Sequence, residues 1–167
     1  CDLLCAAKKE GLIELTASHD DNLVSWDPAN PLDDQDPASE TSRTLRELKK
    51  RMQAAGLRLA MITCDLHGNP LFRGGGLANP NAEIRLLAAQ KMLRAIRIGH
   101  FFGAEYLTYW VARDGFETQF ALPWERTYSH LIQGLNLARR YIRDNDFSIR
   151  RGSIESKPNE PRGEMLL

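Results

Sequence analysis

Leu57-Arg58-Leu59-Ala60-Met61-Ile62-Thr63-Cys64 is the stretch that decides the fold. Apolar residues fill nearly every position instead of alternate ones, the pattern of a strand covered on both faces. Such strands belong to parallel sheets with helices packed outside them. Working back from it, Leu45, Leu48, Met52 and Ala55 recur at helical spacing. Asp36-Pro37 is read as the opening of that helix and Gly56 as its end. Pro28, Pro31 and a run of aspartates before it make a polar loop. Further upstream, Gly11 caps a short helix, and Leu12–Ala17 reads as a strand closing on Ser18-His19-Asp20-Asp21-Asn22.

Downstream the alternation continues. Gly74-Gly75-Gly76 reads as a flexible loop, and no Lys-Ser or Lys-Thr follows it to make a phosphate cradle. A helix from about Asn81 to Gly99 carries the stripe Ile84, Leu87, Ala88, Met92, Ala95 and Ile96. Tyr106–Trp110 is a strand, Pro123 opens another helix, and Ser148–Glu155 is the last strand. Strand and helix alternate throughout residues 1–167 in one continuous segment, as a string of βαβ units.

The totals narrow the class of function. With 22 basic and 22 acidic side chains there is no charge excess to draw nucleic acid or a membrane surface. Arg139, Arg140, Arg143, Arg150 and Arg151 cluster, but Asp144 and Asp146 interrupt them and a solvated face is expected. Three cysteines do not make a disulfide framework, so a reducing cytoplasm is the expected location. No apolar run approaches the roughly 20 residues that span a bilayer.

Residues of catalytic type gather just past the strands: His19 to Asn22, then Thr63, Asp65 and His67, then Trp110, then Glu155 with Lys157. In parallel α/β folds ligands bind at those carboxyl ends. Glu155 and Lys157 are two residues apart on a strand, so both face one side, the first able to bind a metal and the second to hydrogen-bond a substrate oxygen.

Four of these segments, in order, resemble the xylose isomerase family. Glu155-Ser156-Lys157-Pro158-Asn159-Glu160-Pro161-Arg162-Gly163 is similar to the signature E-P-K-P-N-E-P-R-G, with Ser156 in place of a proline. Ser18-His19-Asp20-Asp21-Asn22-Leu23 resembles F-H-D-x-D-L. Met61-Ile62-Thr63-Cys64-Asp65-Leu66-His67-Gly68-Asn69-Pro70-Leu71-Phe72 resembles M-x-T-x-N-L-F-x-x-P-x-F. Tyr109-Trp110-Val111-Ala112-Arg113-Asp114-Gly115 resembles F-W-G-G-R-E-G.

The resemblance implies a (β/α)8 TIM barrel, of which this chain would be an incomplete part, roughly strands two to five with their helices. It implies an aldose–ketose isomerase that opens a cyclic sugar and shifts a hydride from C2 to C1. By the same resemblance His19 and Lys157 are catalytic, Trp110, Thr63 and His67 contact the substrate, and Glu155 is a metal ligand. Two divalent cations are implied, Mg²⁺ or Mn²⁺ with Co²⁺ a further candidate, most of their ligands lying outside this chain. The expected partner is a small aldose or ketose, and the expected full-length assembly a homo-tetramer or dimer.

The chain departs from the pattern at telling places. Asn22 stands where the family has the aspartate that orients its histidine, Asp65 replaces an asparagine, and His67 a pocket phenylalanine. Val111-Ala112 replace a glycine pair. These changes point to a divergent paralogue with an altered pocket. Cys1-Asp2-Leu3-Leu4 reads like the middle of a helix, and the end falls four residues after Gly163. The expectation is a partial chain, inactive by itself. Two other functions share the fold: a sugar-binding barrel without turnover, and a metal-dependent endonuclease or phosphodiesterase, which needs more histidine ligands and a basic face.

Overall fold

The computed structural model describes residues 2–111, 114 and 123–155. Its centre is a four-stranded sheet in the order β1-β2-β3-β4, with every neighbouring pair parallel. The strands are β1 (Leu15–His19), β2 (Arg58–Asp65), β3 (Tyr106–Trp110) and β4 (Arg151–Ile154). Between them run α1 (Asp2–Lys9) ahead of β1, α2 (Asp20–Leu23) and α3 (Glu40–Ala54) after it, α4 (Ala82–Phe102) after β2 and α5 (Trp124–Asp144) after β3. The crossover pattern read from the sequence is the observed one.

Each strand divides its side chains between two faces. Ile62, Cys64 and Leu107 point to the helix layer and are fully buried. Gly99, inside α4, lies so close to this face that a Cβ there would sit 2.6 Å from Ile62 Cγ2. Helix α4 continues past the expected stop. It ends at Phe102, where Gly103 adopts a left-handed φ of 77°. Gly99, where the sequence pattern ends the helix, is a packing site, and the cap is the next glycine along.

Two more boundaries differ from the sequence reading. The Asp36 carboxylate takes the Ala38 N–H in a local turn, and it is Ser39 that caps α3 by accepting from Ser42 N–H. The first strand lies further along than Leu12–Ala17 and ends on His19 itself. A register shift between Thr16 and Ala17 sets Ala17 opposite Met61 and His19 opposite Thr63. That bulge turns His19 onto the face that carries Thr63.

The aspartate-rich loop after α2 is fastened to α4 by two arginines. Arg94 Nε donates to Asp33 Oδ1 at 2.9 Å and Arg97 Nε to Asp34 Oδ2 at 2.6 Å. Nor is the glycine loop at 74–76 free. Gly75 and Gly76 are buried, and Asp114 Oδ1 accepts from both Gly76 and Ala78 N–H at 2.9 Å. A carboxylate from the chain itself occupies the amides that a phosphate would need. No described helix is long and apolar enough to cross a membrane.

Candidate active site at the strand ends

The face opposite the helices collects the candidate residues in rows. His19, Thr63, Thr108 and Ser153 are successive partners across β1 to β4. The Thr108 and Ser153 hydroxyls are 2.9 Å apart, which confirms their shared side. One step further towards the carboxyl ends, Asp65 pairs with Trp110. Glu155 follows β4, its N–H donating to Tyr109 O at 2.9 Å. Parallel strands place their last residues at one end of the sheet, so local strand signals suffice to converge residues distant in sequence.

His19, Asn22, Thr63 and Glu155 line one cavity of about 490 Å³, which Leu59 and Met61 of β2, Leu4 of α1, and Leu48 and Met52 of α3 line as well. Trp110 stands beside His19 with ring centroids 5.0 Å apart, and His67 stacks on the same indole at 4.8 Å and 11°. The indole thus touches both imidazoles. His67 Nδ1 is buried with no hydrogen-bond partner among the described residues. Lys157 lies outside the described residues.

Asn22 is exposed on α2, and the acid facing His19 is Asp65, with Oδ2 3.6 Å from His19 Nδ1. Its other oxygen accepts from His67 N–H at 2.9 Å and Gly68 N–H at 2.8 Å. Beneath this pair is a buried ionic cluster. Asp65 N–H donates to Asp20 Oδ1 at 2.9 Å, and Lys91 Nζ bridges Asp20 at 2.6 Å and Asp21 at 2.9 Å. The side chains of Lys91 and Asp20 are wholly shielded from solvent. Burial alone would lower the Lys91 pKa, but the neighbouring acidic groups outweigh it and hold the ammonium above its ordinary value. Burial and the nearby Asp20 charge push the Cys64 thiol well up, so it stays protonated and is a packing residue.

Sequence reading gave Asp20 no role of its own and missed Lys91 and the bond from Asp114. A signal existed for Lys91, which interrupts the apolar stripe of α4 one residue before Met92. A lysine on a buried stripe calls for a carboxylate partner. Finding which one requires the fold.

Among the described residues no group of three or more His, Cys, Asp or Glu side chains could hold a metal ion. Glu155 offers one carboxylate, whereas hard divalent cations take about six oxygen ligands. The described residues therefore do not by themselves fit the pair of cations that the resemblance implies.

The fold is that of part of a xylose isomerase-like TIM barrel. Two solved structures share the fold. One is a xylose isomerase domain protein from Planctomyces limnophilus, at a TM-score of 0.54 and 12% identity, covering 91% of this chain and 48% of that one. The other is D-psicose 3-epimerase with D-tagatose from Clostridium cellulolyticum H10, at a TM-score of 0.57 and 13% identity, covering 99% and 48%. No protein-family model matches the chain. By sequence it is a divergent relative of the xylose isomerases. It is 30% identical over 131 residues to the proteins of that name from Thermus thermophilus and Thermus caldophilus, 78% of this chain and 34% of each of theirs. The chain thus spans about a third of the length of these curated relatives, and its four strands are part of a barrel.

Proposed function

We propose that the polypeptide containing this chain is an aldose–ketose isomerase of the xylose isomerase type. The observation that carries this reading is the row structure of the concave face. It gathers an imidazole, a carboxylate, an indole and Glu155 at the carboxyl ends of four parallel strands. In the proposed reaction His19 takes the proton of the anomeric hydroxyl and returns one to the ring oxygen as the C1–O5 bond breaks. Lys157 donates a hydrogen bond to the carbonyl oxygen so formed at C1. Hydrogen then moves from C2 to C1 while the O2 proton leaves and O1 gains one, giving the ketose with no net oxidation. Trp110 and His67 wall the sugar, and Thr63 is a polar contact beside His19. Glu155 is proposed as one ligand of a divalent cation whose remaining ligands are not among the described residues.

Turnover is proposed for a barrel of full length, since this chain covers 34% of the curated relatives. The test is to incubate that protein with a panel of aldoses, with and without Mn²⁺, and to follow ketose formation. We expect turnover with one or a few aldoses, lost on Lys157→Met with the sugar still bound. Binding without turnover by the parent protein would favour the sugar-binding alternative. If no sugar binds or reacts, the proposal fails.

A further inference from the structure

The histidine expected to move protons has an acid beside it, at the end of β2 and not at the α2 position the sequence resemblance points to. We propose that Asp65, at the end of β2, is the positioning residue for His19, in place of position 22. The role in proton transfer rests on the isomerase reading, whereas the geometry does not.

Three observations converge. First, Asp65 Oδ2 is 3.6 Å from His19 Nδ1, long for a hydrogen bond and within ion-pair reach. Catalytic contacts commonly tighten from such separations when substrate arrives. Second, the carboxylate is built into place. Oδ1 is held by the N–H groups of His67 and Gly68, which leaves Oδ2 to face the ring. A Cβ at Gly68 would lie 3.0 Å from that same Oδ2, so a bare backbone there keeps the acid in position. Third, the base of the acid is anchored. Its own N–H rests on Asp20 Oδ1, and Asp20 is gripped by the buried Lys91. Asn22 has none of this support, being exposed and making no hydrogen bond to His19.

The two substitutions then read as one event. Where the resembling family has an aspartate after the first of these strands and an asparagine at the end of the second, this chain has Asn22 and Asp65. The charge is kept and moved to the strand end. Its consequence is a tautomer. An acceptor beside Nδ1 keeps the proton there, which leaves Nε2 as the free base.

The test is ¹⁵N NMR of the histidine rings in the protein without sugar or metal, at alkaline pH. The wild-type His19 ring is expected as the Nδ1–H form. Asp65→Asn should reverse it: the turn amides still hold Oδ1, so the new NH₂ faces Nδ1 and forces the proton to Nε2. Asn22→Ala should leave the tautomer unchanged. Because Asp65→Asn keeps the acceptor that the turn needs, an unchanged circular dichroism spectrum is expected alongside. An unchanged tautomer in Asp65→Asn, or a reversal in Asn22→Ala, overturns the proposal. In an isomerase assay Asp65→Asn should lower kcat on the order of a hundredfold with KM little changed. Absence of turnover in the wild-type protein would defeat the functional reading, while the tautomer result would still decide the positioning.

Discussion

Asp114 illustrates how one residue can carry an energetic cost that the local structure makes use of. Its carboxyl is buried, and loss of solvation pushes its pKa from 3.8 up to about 6, although the backbone N–H groups of Ala78, Gly76 and Leu77 pull the other way. A carboxyl with a raised pKa holds its proton more tightly in the folded than in the unfolded chain. Stability from this group is therefore highest below about pH 4 and is lost as pH rises through about 6. At about 1.4 kcal/mol per tenfold in proton affinity, the penalty above that window is on the order of 3 kcal/mol. Asp114→Asn keeps an acceptor for the Gly76 and Ala78 amides and removes the charge. The variant should match the wild type near pH 4 and exceed it by roughly 1–3 kcal/mol at pH 7.5 in urea denaturation. Identical pH slopes for the two proteins would remove Asp114 as the cause.

Lys91 makes the complementary case. Replacing it with methionine leaves Asp20 and Asp21 facing each other without a cation, in a place where water does not reach Asp20. Breaking a buried ion pair from one side costs about 3–5 kcal/mol. We expect Lys91→Met to lose an amount of that order by chemical denaturation, and Asp20→Asn added to it to recover part of the loss. A loss under about 1 kcal/mol would show that the cluster is already solvated or neutral. The sequence made His19 and Glu155 legible as candidates because motif neighbours flank them. It left Asp65 without a role and Lys91 unremarked, because their meaning lies in contacts 45 and 71 residues away along the chain.

At the scale of elements, α4 docks on β2 by removal of a side chain more than by addition of one. Alanine at position 99 would gain about 1 kcal/mol of helix propensity. Its Cβ would also press to 2.6 Å from Ile62 Cγ2 and 3.3 Å from Ile62 Cβ, both parts of a fully buried side chain. Overpacking of this kind costs about 1–3 kcal/mol, so the clash should win. Gly99→Ala is expected to lower stability by up to about 2 kcal/mol, and Ile62→Ala in the same protein should cost less than it does alone. Stabilisation by Gly99→Ala would refute the close approach. This is also why the end of α4 could not be read in advance. Gly99 and Gly103 are equally good stop signals by type, and only the second has open space around it with a left-handed φ of 77°.

For the whole molecule, the alternation of strands and helices was legible because each element announces itself within a few residues. The parallel order then follows from the length of the crossovers. The described strands do not close on one another. Among the described residues β1 and β4 are the outer strands, each paired on one side only. Leu15 on β1 is 49% exposed and Ile154 on β4 is 42% exposed, while Tyr106 on the concave face is 44% exposed. Unpaired strand edges beside exposed apolar side chains invite pairing with another chain. The 167-residue chain is therefore expected to self-associate in sedimentation velocity as its concentration rises. Added salt should not weaken this association, because edge pairing rests on backbone hydrogen bonds and apolar contact and not on charge. Leu15→Lys places a charge on the edge of β1 and should shift the association to higher concentration by several-fold, a standard protection of open edges. A polypeptide that stays monomeric at every concentration, or whose association Leu15→Lys leaves untouched, would show that these two edges are already covered in solution.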